Sequence, residues 1–276
     1  MRAVLIIAWK EFRDGLRNRW VIAMTVLLAA LALTLAFLGS APVGAVKAGS
    51  LAVTVVSLSS LSIFLLPLIA LLLSHDAIVG EMERGTLALL LAYPVARWQV
   101  LIGKFIGHIV ILTFATAIGY GAAGAAVALT GAQADPAAWP AFAAMIATSI
   151  LLGAAFVAIG YLLSAAARER AVAAGAAIAV WLVFVLIYDM MLLGLLVADH
   201  GQNITAATLD WLLLLNPADV YRLINLTGFG NVSALAGMAG VARDAQLTAP
   251  VLLAALGGWI VAPLAAAVLL FGRKQV

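Results

Sequence analysis

LAVTVVSLSSLSIFLLPLIALLLSHDAIVGEMERGTLALL, residues Leu51–Leu90, decides the class of fold. Its first part, Leu51–Ser74, carries no charge and is long enough to cross a hydrocarbon core as a helix, which takes about 20 residues. A charged island follows at once, with Glu81, Glu83 and Arg84 inside one helical turn, and then the apolar run resumes. Moving outward, five more runs have the length and character of spans: Trp20–Leu38, Leu101–Thr130, Ala137–Ser164, Val172–Ala198 and Pro250–Phe271. Of the 276 residues, 66% are hydrophobic and only 10% charged, against about 45–50% and about a quarter in a soluble domain. Mean hydropathy is +1.18. The expected fold is an all-α membrane protein of six transmembrane helices in a single domain, residues 1–276.

Orientation follows from the excess of Lys and Arg on cytoplasmic loops. With the N-terminus inside, all but Lys47, Arg222 and Arg243 of the 15 Lys and Arg fall on the cytoplasmic side. Both termini are therefore expected in the cytoplasm, and so is the island, within a cytoplasmic loop spanning 75–100. Nineteen residues precede the first run and five spans follow it, so the start reads as a first span rather than a cleaved signal.

Residues 1–19 form an expected amphipathic interfacial helix. Leu5, Trp9, Phe12 and Leu16 recur at helical spacing, with Lys10, Arg13, Asp14 and Arg17 between them. It reads as a surface anchor whose polar side is open to a partner protein. On the other side of the membrane, 199–249 is long and half polar. TLDWLLLLNPADVYRLINL within it reads as two short external helices broken at Asn216-Pro217, where Asn216 can cap, Pro217 suits the first helical position and Asp219 falls at the third. The segment is either a lid over the bundle or a gate and docking ledge, with Tyr221 and Arg222 on its second helix.

GYGAAG, Gly119–Gly124, has the letters of a dinucleotide fingerprint. It lies mid-run with no strand before it, so close helix packing is the reading; Gly103 and Gly107 read the same way. Asp189 is the acidic residue well inside a span. It is either hydrated near the outer interface, hydrogen-bonded to Tyr188 or a neighbouring helix, or part of a pathway. His108 sits one turn after Lys104 near the inner interface, where a solvated or helix-capping role fits best.

Much chemistry is absent. No cysteine occurs, which removes disulfides and thiolate sites. There is no H-E-x-x-H, no G-x-S-x-G and no G-x-x-x-x-G-K-[ST]. The chain is therefore expected to be non-catalytic, to bind no cofactor or metal, and to depend on another chain for any ATP hydrolysis. The island itself reads as a short rigid helix. Glu81, Glu83 and Arg84 are exposed, Gly85 breaks it, Thr86 caps the next turns, and Pro94 ends the piece. Such a helix suits docking onto a soluble protein, where charge pairs fix register; a solvated turn is the plainer alternative.

GEMERGTLALLLAYPVARWQVLIGK (Gly80–Lys104) resembles the signature of ABC-2-type transporter permeases, E-x-E-x-G-T-L followed by leucines, P-x-x-R and G-K. Glu81, Glu83, Gly85, Thr86, Leu87, Pro94, Arg97, Gly103 and Lys104 match in order. The resemblance implies a homodimer or pseudo-dimer with a separate ATPase under each half, ATP and Mg being held there. It makes the segment after the second span the coupling helix, and Ala165–Ala171, with Arg168, Glu169 and Arg170, a second cytoplasmic contact. KEFRDGLRNRW (Lys10–Trp20), AIVGEMERGTLALLLAYPVAR (Ala77–Arg97) and LLLLNPADVYRLINLTGF (Leu212–Phe229) narrow it to permeases that serve maturation of the copper–sulfur centre of nitrous oxide reductase. That implies a periplasmic β-helical partner at the external segment and a Gram-negative inner membrane. Competing readings are a generic ABC-2 exporter of lipid, glycan or drug, and an intramembrane enzyme, against which the missing catalytic groups argue. Nothing in the spans selects a substrate.

Overall fold

The structure, a computed structural model, describes residues 2–38, 50–129, 138–199, 204–227 and 247–274. Residues 39–49 and 130–137, with Lys47, lie outside the described residues, as do 200–203 and 228–246, with Arg243. The described residues are helical and contain no strand. In chain order the helices are α1 (Arg2–Leu16), α2 (Arg19–Leu38), α3 (Ser50–Ser74), α4 (Val79–Glu83), α5 (Thr86–Leu91), α6 (Arg97–Leu129), α7 (Ala138–Ala166) and α8 (Arg170–Leu182). A π-helical stretch, Val183–Ile187, then leads into α9 (Tyr188–Asp199), α10 (Ala206–Leu214), α11 (Pro217–Thr227) and α12 (Ala249–Arg273). Six helical segments are long and apolar enough to cross a membrane, as expected: α2, α3, α6, α7, α8 through α9, and α12.

α7 is the axis of the bundle, packed along α3 on one side and α12 on the other. Leu152, Phe156 and Tyr161 along it are fully enclosed. Edge-to-face stacking continues outward from it. The rings of Phe156 and Phe184 lie 6.1 Å apart, and those of Phe184 and Trp259 lie 5.3 Å apart, tying α7, the π-helical stretch and α12 together. α6 carries α1 and α2 along its length. The span formed by α8 and α9 is the least enclosed; Ala173, Ala177, Val185 and Leu192 are its buried positions.

Small residues set the closest approaches. A methyl group at Gly160 would lie 1.9 Å from Ser74 Oγ, where α7 crosses α3. In GYGAAG, Gly119 faces Leu28 of α2 and Gly124 faces Phe142 of α7, whereas nothing approaches Gly121. Packing therefore explains the outer glycines of that motif and not the middle one. Gly160→Ala is expected to lower stability by about 1–3 kcal/mol through overpacking, while Gly121→Ala is neutral or slightly stabilising; thermal melting of the purified variants in detergent checks the pair.

α1 adds a contact that its periodicity did not specify. The helix forms, and Asn18 caps the start of α2 by accepting the Trp20 N–H at 2.9 Å. Leu5 and Trp9 point away from the protein, 64% and 60% exposed. The face turned to α6 is Ile7, Ala8, Glu11 and Gly15. A methyl at Gly103 would lie 2.8 Å from Ile7 Cβ, and one at Gly107 would lie 3.0 Å from the Ala8 carbonyl oxygen. Backbone proximity decided the face: only α6's glycines let α1 come this close, so small residues rather than large apolar ones line the contact. The Leu5–Trp9–Phe12 stripe continues onto the exposed side of α6, where the Phe12 and Phe114 rings meet at 6.3 Å.

Candidate coupling junction and the opposite cluster

The end of the bundle that carries both chain termini is held by ionic contacts. Lys104 of α6 places Nζ 2.9 Å from Glu11 of α1 and 2.8 Å from Glu81 of α4, with only 5% of its side chain exposed. One ammonium thus joins three helices. Burial alone would raise the Glu11 carboxyl; Lys104, the next influence, brings it below its ordinary value. His108 lies one turn further along α6. It is buried, and its Nδ1 pairs with the Tyr161 hydroxyl at 2.9 Å. It is a core residue, not the solvated or capping group expected from sequence. A cleft of about 420 Å³ opens beside these groups, lined by Lys10, Asp14, Asp76, Arg84 and Arg170 among others.

The island differs from its expected form at Glu81 and Thr86. Glu81 is turned inward and ion-paired, not exposed; the signature places it within reach of its own lysine, and a buried ammonium needs the charge. Glu83 is exposed and accepts the Arg170 backbone N–H at 2.6 Å, occupying a free donor at the start of α8. Gly85 does break the helix, with φ of 69°, a left-handed conformation suited to glycine. Thr86 does not cap the following helix; its hydroxyl donates back to the Glu81 carbonyl at 3.3 Å. Arg97 turns to the end of α12. Its guanidinium donates to the Phe271 carbonyl at 3.2 Å and to that of Lys274, holding the end of α12.

The two segments named as cytoplasmic contacts meet. Ser164 Oγ accepts the backbone N–H groups of Ile78 and Val79 at 3.0 and 3.1 Å, satisfying the start of α4 from α7. Arg170 pairs with Asp76 at 2.9 Å. Arg84, Arg168 and Glu169 are exposed on this surface. Lys104 was recognised in the sequence as part of a motif, but Glu11, Asp76 and Ser164 were not singled out. A serine inside an apolar run gives no sequence signal for capping a helix far away in the chain.

At the opposite end, α11 is not an external ledge. Asn216 is 0% and Asp219 1% exposed; Pro217 and Tyr221 are buried too. α11 packs into α3, α7 and α12. It hides its apolar face along with the groups expected to meet a partner because Tyr221 finds a hydroxyl inside: its OH lies 2.8 Å from Ser149 Oγ. Asn225 and Thr148 pair similarly at 3.0 Å. Asn216 behaves as a cap, accepting the Ala218 N–H at 3.0 Å. Its amide also donates to Asp219 and to the Phe184 carbonyl, each at 2.9 Å. Asp219 bonds that amide and not the Asn216 backbone, so the capping box is only half formed. Arg222 joins Asp219 and Asp189, each at 2.6 Å. Asp189 is thus bonded to a neighbouring helix, one of the alternatives its sequence position left open, and not simply hydrated.

Six apolar spans, a short charged helix wedged between the second and third, and an N-terminal helix latched to it define a membrane permease subunit. Residues 5–276 match the ABC-2 family transporter proteins, and the chain belongs to that family. It is 47% identical over 277 residues to a Pseudomonas aeruginosa protein named as the probable ABC transporter permease protein NosY, with all of both chains covered. It is likewise 47% identical over 276 residues to the protein of that name from Stutzerimonas stutzeri, covering 99% of each.

Proposed function

We propose that this permease couples ATP hydrolysis by a separate NosF-like ATPase to transport or mechanical signalling across the bacterial inner membrane. In this reading it supports copper–sulfur centre assembly of nitrous oxide reductase, a task of denitrification. The chain works as a homodimer with both termini in the cytoplasm. ATP and Mg sit on the ATPase, and a NosD-like β-helical protein meets the external segment. Full-length similarity to the two NosY proteins supports the assignment.

The observation that carries the coupling step is the Lys104 junction. α4 is short, and its start is held by Ser164 while its carboxylate is held by Lys104. A push on α4 therefore reaches α1, α6, α7 and α8 together and does not stop at a flexible loop. The surface offered to the ATPase is Glu83, Arg84, Arg168 and Glu169; Glu81 and Arg97 act behind it. The exposed side of the fifth span, with Met190 73% and Met191 60% exposed, is available to the second copy.

Arg84→Glu with Arg168→Glu tests this reading. Both side chains are exposed, so thermal melting is expected to stay unchanged. Capture of the ATPase is expected to weaken by about tenfold or more, because reversed charges oppose their former partners. Unchanged ATPase capture would overturn the docking surface. Co-purification of a periplasmic β-helical protein separates the Nos reading from a generic ABC-2 exporter, which brings none.

A further inference from the structure

We propose that Asp189, Asp219 and Arg222 form a proton-binding site, in which a buried and a partly buried carboxylate facing one guanidinium share a single exchangeable proton that holds the fifth span to α11. Arg222 Nη2 lies 2.6 Å from Asp189 Oδ2, and Nη1 lies 2.6 Å from Asp219 Oδ1. One cation compensates one carboxylate, so with both ionised the cluster keeps a net negative charge where water hardly reaches. Asp219 is 1% exposed, and Arg222 and Asp189 keep 16% and 21% of their side chains exposed. An uncompensated buried charge is relieved by taking up a proton.

Bonding points to the same count. Asp219 has both oxygens occupied, Oδ1 by Arg222 and Oδ2 by the Asn216 amide at 2.9 Å. Asp189 has only Oδ2 occupied; its Oδ1 is buried with no hydrogen-bond partner among the described residues. A proton shared by the pair supplies that missing bond. No further cation near the cluster comes from the described elements packed around α11. α3 has no titratable residue, and α7 and α12 have Tyr161 and Arg273 alone, both towards the other end. On α9 the others are Tyr188, whose hydroxyl donates to the Leu212 carbonyl at 2.6 Å, and Asp199, which accepts the Ile204 N–H. α10 contributes Asp210. Burial pushes the Asp219 carboxyl up to about 7, with Arg222 opposing and Asp189 adding to the effect.

The location gives the proton a structural role. The fifth span is interrupted by its π-helical stretch immediately before Asp189, and such interruptions occur often at functional sites. The Phe184 carbonyl in that stretch is bonded by Asn216. The ion cluster is thus the second tie between the same two elements. A carboxyl raised in the folded state binds more protons folded than unfolded, so stability falls as pH rises through the raised value. The tie is firm below neutrality and weakened above it.

Infrared difference spectra of the full chain in lipid nanodiscs, between about pH 6 and about pH 8, test the proposal. The wild type is expected to show one protonated carboxylic acid band that is lost on raising the pH. Asp189→Asn and Asp219→Asn should each abolish it, since the remaining carboxylate is then matched by Arg222. Thermal melting should fall by a few degrees over that interval in the wild type and stay flat in Asp219→Asn. A wild type with no protonated carboxyl at the lower pH would overturn the proposal, as would a band that survives in both single variants. The wild-type spectrum decides even if a variant fails to fold.

Discussion

Lys104→Met is expected to separate α4 from α1 and α6 and to abolish ATPase coupling. The substitution leaves Glu11 and Glu81 facing each other with 13% and 15% of their side chains exposed and no cation between them. Breaking a buried ion pair in this way costs about 3–5 kcal/mol, enough to unseat a helix of only five residues. Urea or thermal unfolding of the purified chain reads the loss. The triple change Lys104→Met, Glu11→Gln and Glu81→Gln removes the stranded charges and is expected to recover most of the stability. It should not recover coupling, because no ionic tie then joins the three helices. Reversing Glu81 and Glu83 together, the natural experiment if both lay on the surface, would mix two effects: Glu81→Lys places a second ammonium against Lys104, while Glu83→Lys alters an exposed position. Acid should loosen the same junction. The lowered Glu11 carboxyl contributes stability above the usual glutamate range, and that contribution is lost as pH falls below it.

Asn216→Leu is expected to be the most damaging change at the other end. The side chain is fully enclosed and serves the Ala218 N–H, Asp219 and the Phe184 carbonyl. Removing it strands buried polar groups at about 1–3 kcal/mol each and deletes a helix cap worth about 1 kcal/mol. Melting should therefore drop sharply. Loss of any external partner would follow only through the fold, because Asn216 does not reach the surface. A variant with normal melting but lost partner capture would return this residue to an interface.

Most of the architecture was legible. Apolar runs of spanning length need no partner to identify them, because a bilayer admits a span only if its backbone is satisfied internally. The break at Asn216-Pro217 was legible for the same local reason: a cap and a proline act on their own helix. The faces were less legible. The periodicity of α1 gave an amphipathic surface helix, but not which of its residues meet α6; that contact is made at glycines far along the chain, Gly103 and Gly107. Glu81 and Glu83 look alike in sequence, and only the position of Lys104 turns one inward. The π-helical stretch at Val183–Ile187 left no mark, since VFVLI reads as ordinary span. Arg222 pairs with two acids, one of them in another helix, a relation no local periodicity encodes.

The chain has no native cysteine, so single cysteines report position without background. Arg84→Cys and Trp211→Cys place probes at exposed sites on opposite ends, Trp211 being 71% exposed. Labelling in intact cells and in inverted vesicles tells the two sides apart. The account predicts that the Arg84→Cys variant is labelled only from the cytoplasmic side and cross-links to the ATPase, while the Trp211→Cys variant is labelled only from outside. Labelling of the Arg84→Cys variant from outside, or its failure to cross-link in an otherwise active complex, would contradict the claim that energy enters through α4.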